Sequence, residues 1–208
     1  MSVNRFKSGI GVVILGAGAS ARMGRPKLLL PWRNTSILGH LLDEWNALGA
    51  GQVAVVCASD GGPIHVELDR LGVDRANRII NEHPERGMFS SIQTAAAWTG
   101  WNPQLTHWVI TLGDQPHVQR TTLESLVEFA ANHPDRICQP TRNGRGRHPL
   151  ILPREAFTVL ASSTAPDLKT HLASLRVGIA GFESPDAGLD LDIDTPEDYE
   201  RALRLARR

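Results

Sequence analysis

Short apolar runs rich in β-branched residues recur along the chain and alternate with longer stretches whose apolar residues follow a helical period. The runs predict strands at 11–15, 52–57, 78–80, 107–112, 136–139 and 189–193. The periodic stretches predict helices at 37–48, 63–71, 89–98, 122–131, 154–161 and 196–206. Two helix starts carry explicit signals. Thr121 stands three residues before Glu124, the spacing of a capping box, and Thr195-Pro196-Glu197-Asp198 lines up a cap, a first-turn proline and two first-turn carboxylates. Strands that are apolar throughout need cover on both faces, so the alternation predicts an α/β fold with a mostly parallel central sheet between helical layers. Such sheets bind ligands beyond the carboxyl ends of their strands, and chemistry is expected just after each apolar run.

Composition narrows the class. The 208 residues carry 22 Lys+Arg against 22 Asp+Glu, with 41% hydrophobic and 21% charged residues. This is the usage of one folded domain, and the charge balance argues against an extended nucleic-acid partner or a membrane-surface arm. No apolar stretch approaches the roughly 20 residues of a membrane helix. Arg5 and Lys7 before the apolar run at 10–15, with Ala17-Gly18-Ala19 after it, have the outline of a secretory leader. The run is short and the chemistry begins directly behind it, so the expectation is a chain without a leader, working in the cytoplasm. Cys57 and Cys138, the only cysteines, stand in or beside apolar runs and are expected to be buried thiols rather than a disulfide.

Directly after the first strand comes Gly16-Ala17-Gly18-Ala19-Ser20-Ala21-Arg22-Met23-Gly24-Arg25-Pro26-Lys27. Glycines 16, 18 and 24 let the backbone amides converge on an anion, and Arg22 and Lys27 add fixed positive charge. Gly16-x-Gly18-x-x-Ala21 also fits the alanine form of the dinucleotide fingerprint, which would make the chain a nicotinamide-dependent oxidoreductase. That motif wants an acidic residue at the end of a second strand, whereas Asp43 and Glu44 fall inside a helical pattern. No Walker phosphate loop is present. Asp114, in Gly113-Asp114-Gln115-Pro116, ends a buried strand and reads equally as a cation ligand or a turn aspartate. Asp192 and Asp194 share one face of an extended segment around Ile193, either as paired cation ligands or as a solvated strand end.

The first loop resembles the signature of the molybdenum-cofactor nucleotidyltransferases, the MobA-like NTP transferases: Leu15, Gly18, Ser20, Arg22, Met23, Gly24 and Lys27 match it in register. Three further segments follow in the family's order. Asn81 through Ser91 resembles the N-x-x-x-x-x-G-M-x-x-S element, Gly113-Asp114-Gln115-Pro116 the G/A-D-Q-P element, and Asp192-Ile193-Asp194-Thr195-Pro196-Glu197-Asp198 the D-I-D-T-P-E-D element. Arg147-His148-Pro149 resembles the G-H-P segment, with Arg147 in the place usually held by Gly.

The resemblance implies a single-domain, Rossmann-like three-layer nucleotidyltransferase fold over 10–208, after an extension at 1–9. It implies an enzyme that transfers a nucleoside monophosphate from a triphosphate to a phosphomonoester and releases pyrophosphate. Leu15, Gly16, Ala17, Gly18, Ser20, Arg22, Gly24, Lys27, Asn81, Gly87, Ser90 and Ser91 would hold the nucleotide, the serines being equally ordinary first-turn caps. Lys27, Arg22 and Asp114 would act in catalysis, Asp114 with Asp192 or Asp194 would hold Mg2+, and Arg147 and His148 would meet the acceptor. Ala17 stands where guanosine users carry Gly, which points to CTP, with another NTP such as GTP as the alternative. The implied acceptor is a molybdopterin carrying molybdenum, and the implied recipients are a molybdoenzyme or its chaperone, with no nucleic-acid or membrane partner. A noncatalytic cofactor-binding chaperone of the same fold is the remaining alternative.

Overall fold

A computed structural model of the chain describes residues 3–18, 23, 26–58 and 61–207. Five of the predicted runs form strands that point the same way: β1 (Ile10–Leu15), β4 (Gln52–Cys57), β5 (Arg78–Ile80), β6 (His107–Leu112) and the run expected at 136–139, which is a strand at Ile137–Arg142. A small hairpin of β2 (Pro31–Trp32) and β3 (Thr35–Ser36) precedes β4, and β7 (Ile137–Arg142), β8 (Arg145–Gly146), β9 (Leu150–Pro153) and β10 (Ile179–Glu183) follow β6. The main sheet runs β10-β7-β9-β6-β1-β4-β5, with β8 paired to β7. β1 pairs in parallel with β4 and β6, and β10 with β7, whereas β9 is antiparallel to both β6 and β7. β6 and β7 therefore point the same way, and their carboxyl ends lie on one sheet edge.

Helices cover both faces. α1 (Val3–Ser8), α2 (Ile37–Ala47), α3 (Pro63–Arg70) and α4 (Met88–Ala97) belong to the first half, and α5 (Arg120–Asn132), α6 (Arg154–Thr158), α7 (Leu168–Ser174) and α8 (Pro196–Leu205) to the second. Period-2 alternation along β1 sorts the core into two layers. Ile10, Val12 and Ile14 pack with Leu38, Leu41 and Trp45 of α2 and Leu126 of α5, while Val13 packs with Ile92 of α4 and Phe157 of α6. Each fully buried aliphatic side chain contributes about 1.5–3 kcal/mol relative to exposure. Phe6 of α1 is buried and stacks obliquely on His107, so residues 3–8 pack onto the sheet. Cys57 and Cys138 are both buried free thiols. Among the described residues, no helix is long and apolar enough to cross a membrane.

Three local expectations need correction. Residues 189–193 form no strand: a 3-10 turn at Ala187–Asp190 leads into extended chain, and the Ile193 N–H donates to the Asp114 carbonyl instead of to a ladder. The alternation in that segment still serves burial, because Leu191 and Ile193 are buried while Asp192 and Asp194 face outward. Thr121 does not cap α5, which begins two residues earlier than expected, behind Gln119; the buried Asp186 carboxylate instead accepts from the Gln119 N–H and the Thr122 hydroxyl. The stretch at 154–161 shortens to α6 and a following 3-10 turn. At Thr195 the expected cap forms, and it does so as a capping box reciprocal with Asp198.

Candidate active site

The crevice opens where the carboxyl ends of β1, β4 and β6 meet. β1 sits between β4 and β6, and the chain builds outward from it in both directions, the switch point at which open α/β sheets bind ligands. Gly16 extends β1 by donating its N–H to the Val56 carbonyl at 2.9 Å. Gly113, at the exit of β6, approaches β1 so closely that a Cβ there would stand 2.6 Å from the Leu15 carbonyl oxygen. Any side chain at 113 would push apart the two strand ends that carry the chemistry.

Two connected hollows share Leu15, Gly18, Ala58, Gly113 and Asp114. The larger, about 550 Å³, is walled by Ala17, Leu112 and the start of α4 through Gly87, Met88 and Ser91. This volume lies in the range of small-ligand pockets. The smaller, about 220 Å³, is lined by Gly16, Lys27 and the turn into α3. Ser91 lines the larger hollow, but Ser90 does not: its hydroxyl donates toward the His83 and Gly87 carbonyls. Asn81 is buried behind this wall and donates to both serine hydroxyls, at 2.9 and 3.0 Å. Asn81 and Ser90 thus hold the turn in which Gly87 adopts φ +87°, and Ser91 presents the free edge.

Lys27 occupies the centre of the crevice. Its ammonium donates to Asp114 Oδ2 at 2.7 Å and to Asp194 Oδ1 at 3.0 Å. Burial works against that charge, but the hydrogen bonds and charges of Asp114 and then Asp194 outweigh it, and the Lys27 pKa stands above the ordinary lysine value. Asp192 takes a different partner, accepting from Gln115 Nε2 at 2.8 Å. Desolvation first, then the neighbouring charge of Asp114, raises its pKa despite that bond. Asp114 Oδ1 is buried with no hydrogen-bond partner among the described residues. A buried carboxylate oxygen left without a donor is costly unless a cation or water completes it, so the donor set fits a hard divalent ion. Among the described residues the three carboxylates do not converge into a ready-made metal cluster; the Lys27 ammonium stands between two of them.

The expected acceptor residues lie on the same sheet edge, in the loop that enters β9 between the exits of β6 and β7. His148 packs beside the end of β6: burial pushes its pKa down, against a hydrogen bond to the Ile110 backbone and the charge of Asp114. Its Nδ1 is buried and unpartnered among the described residues. Arg147 turns away to Asp190, donating from Nη2 at 2.6 Å and from Nε at 2.8 Å. Ser20, Arg22 and Gly24, expected to hold phosphates, lie outside the described residues.

Residues 12–196 match the family model described as the MobA-like NTP transferase domain. The chain belongs to this family. Its relatives include the molybdenum cofactor cytidylyltransferase of Escherichia coli K12, 26% identical over 92% of this chain and 94% of that protein. A probable molybdenum cofactor guanylyltransferase of Bacillus mycoides KBAB4 is 21% identical with the same coverage. Among solved structures, Rv0371c of Mycobacterium tuberculosis H37Rv superimposes with a TM-score of 0.74 at 30% identity, covering 94% of this chain and 98% of that one. Rv0371c has also been solved in complex with manganese, with a TM-score of 0.68 at 28% identity.

As a MobA-like NTP transferase the chain is a nucleotidyltransferase, and two of its site-forming residues were not expected from sequence. Gln115 orients Asp192, a role open to inference from its place in the Gly-Asp-Gln-Pro element. His117 is buried, and its Nε2 lies 3.1 and 2.9 Å from the Gly188 and Leu191 carbonyls, so it fixes the segment that delivers Asp192 and Asp194. No sequence signal marks it, because its partners are backbone groups more than 70 residues away.

Proposed function

We propose that this nucleotidyltransferase transfers CMP from CTP to the phosphate of molybdenum-bearing molybdopterin, with Mg2+ and with release of pyrophosphate, in the cytoplasm. The observation that carries the reading is the Lys27 ammonium bound to Asp114 and Asp194 at the switch point, beside an Asp114 oxygen that has no partner among the described residues. Ala17, on the wall of the larger hollow, and the likeness to a cytidylyltransferase support cytidine. The likeness to probable guanylyltransferases supports GTP as the second reading.

The acceptor phosphate is largely dianionic at neutral pH, since its second pKa is about 6, so its oxygen needs no general base. That oxygen bonds to the α-phosphorus of the triphosphate as the bond to the bridging oxygen breaks, and pyrophosphate leaves with the electron pair. Ala17 and Gly18 would hold the triphosphate by backbone amides, while Gly16, whose N–H is taken by the Val56 carbonyl, would let the chain pass close to it. Lys27 would exchange its carboxylate partners for phosphate oxygens and stabilise the charge that develops. Asp114 and Asp192, with Asp194 beside them, would hold Mg2+, which when bound neutralises phosphate oxygens. Ser91 and Met88 would face the nucleoside.

Pyrophosphate release measured with CTP, GTP, ATP and UTP, with molybdenum cofactor as acceptor, tests this. Fastest turnover is expected with CTP, and Ala17→Gly is expected to move preference toward GTP. No turnover with any triphosphate would overturn the reading, and a GTP optimum would replace its nucleotide.

A further inference from the structure

Arg142 and Arg147 close on one carboxylate. Arg142 donates from Nε to Asp190 Oδ2 at 2.8 Å and from Nη1 to the Pro185 carbonyl at 2.7 Å. Arg147 donates twice to Asp190 Oδ1. The hairpin of β7 and β8 presents both: Asn143 and Gly144 turn it with φ +52° and +70°, and Arg142 faces Arg145 across the pair. Glu183 fastens the hairpin tip by accepting from the Thr141 hydroxyl and the Asn143 N–H. The hairpin is thus held independently of Asp190.

Arg142 and Arg147 outnumber Asp190 by one charge, and exposed Arg145 offsets Glu183, whose carboxylate feels the charge of Arg142. Two forked guanidiniums set around the two oxygens of a carboxylate reproduce the arrangement that grips two oxygens of a phosphate. All three side chains remain a quarter to a third exposed, so water and soluble anions reach them. Exposed ion pairs of this kind exchange partners at little cost. The position is also right. Arg142 ends β7 on the edge where Asp114 ends β6, two strands or about 10 Å away. Arg147 adjoins His148, which feels the charge of Asp114, and Asp190 stands two residues before Asp192.

We propose that Arg142 and Arg147 form the binding site for the acceptor's phosphomonoester and that Asp190 is its displaceable stand-in, occupying the pair until the acceptor arrives. The inference rests on the reading of the chain as a transferase to a phosphomonoester. It adds Arg142 to the acceptor site and assigns Asp190 a role opposite in sign to that of a ligand: removing its charge strengthens acceptor binding.

Two measurements test it. In steady-state pyrophosphate release, Arg142→Ala is expected to raise the acceptor KM about tenfold or more while leaving the triphosphate KM unchanged. Asp190→Asn is expected to lower the acceptor KM severalfold. An acceptor KM that rises in Asp190→Asn, or a triphosphate KM that rises with it in Arg142→Ala, would show a merely structural clamp and overturn the proposal. The second measurement needs no turnover. Methyl phosphate is titrated into the protein while the Arg142 and Arg147 Nε–H resonances, assigned with Arg142→Lys and Arg147→Lys, are followed by NMR. Both are expected to shift, at lower concentration in Asp190→Asn, and resonances that stay fixed overturn the proposal. Shifts without pyrophosphate release from any triphosphate would leave the anion site standing and remove the transferase reading instead.

Discussion

Two clusters on one sheet edge answer charge in opposite ways. At the end of β6, among the described residues, one ammonium, Lys27, stands among Asp114, Asp194 and Asp192, and negative charge is in surplus. At the end of β7 two guanidiniums share Asp190, and positive charge is in surplus. The first arrangement leaves a buried carboxylate oxygen without a donor among the described residues, while the second leaves guanidinium N–H groups at the surface. On the proposed reading each cluster holds a resident ion of the sign it would bind, Lys27 in place of a cation and Asp190 in place of a phosphate. A chain with 22 positive and 22 negative residues can therefore seat polyanionic substrates without a basic excess.

The largest effect is expected at Asp114. Asp114→Asn should lower metal-dependent turnover by about a thousandfold or more, with a melting temperature within a few degrees of the parent, because the carboxamide fills the same space. Pyrophosphate release and a thermal melt measure both, and activity within tenfold of the parent would dissolve the cation side of the comparison. Next comes Lys27→Met, expected to lower kcat/KM by about a hundredfold. The same variant removes the resident cation, so it should bind Mn2+ more tightly in the absence of nucleotide, as read by titration calorimetry. Weaker Mn2+ binding would mean that Lys27 organises the carboxylates rather than occupying them.

Salt separates the clusters further. The Arg142–Asp190–Arg147 group is reached by solvent, and a Debye length of about 10 Å at 0.1 M falls to about 3 Å at 1 M. The acceptor KM should rise severalfold over that range. The Lys27–Asp114 pair is more enclosed, with side chains 15% and 23% exposed, and the stability it contributes should change less. Acceptor KM values independent of salt would count against a phosphate site on exposed arginines.

These contrasts were only partly legible in the sequence. β1, β4 and β6 announced themselves as runs apolar on both faces, and the residues behind them as candidate ligands, because open α/β sheets bind beyond the carboxyl ends of buried parallel strands. β9 was hidden: Pro149 and Pro153 bracket it, and proline ordinarily argues against an inner strand. β10 is an edge strand whose Ala180 and Gly181 carry no β signal. At 189–193 the alternation revealed which side chains face inward but not whether a neighbour supplied a ladder, since that depends on the partner and not on the segment. Arg147 was recognisable as an unusual cation, whereas its sharing of Asp190 with Arg142 joins residues more than 40 positions apart and follows only from the fold.

The smallest effect concerns the scaffold that both clusters share. His117 fixes residues 188–191, which carry Asp190 and lead into Asp192, and burial lowers its pKa, against hydrogen bonds to Leu191 and Gly188. Burial likewise lowers the pKa values of His40 and His107. These imidazoles stay neutral in the fold while the unfolded chain takes up protons below about pH 6.5, so their contribution is complete above that value and is lost as pH falls toward the folded pKa. Melting temperature should therefore decline on acidification from pH 7.5 to 5.5, and less steeply in His117→Gln, which starts lower because the bridge to the two carbonyls is weakened. Because the segment serves both clusters, His117→Gln should impair metal and acceptor binding together. If it impaired only one, the two clusters would be independent of their common support.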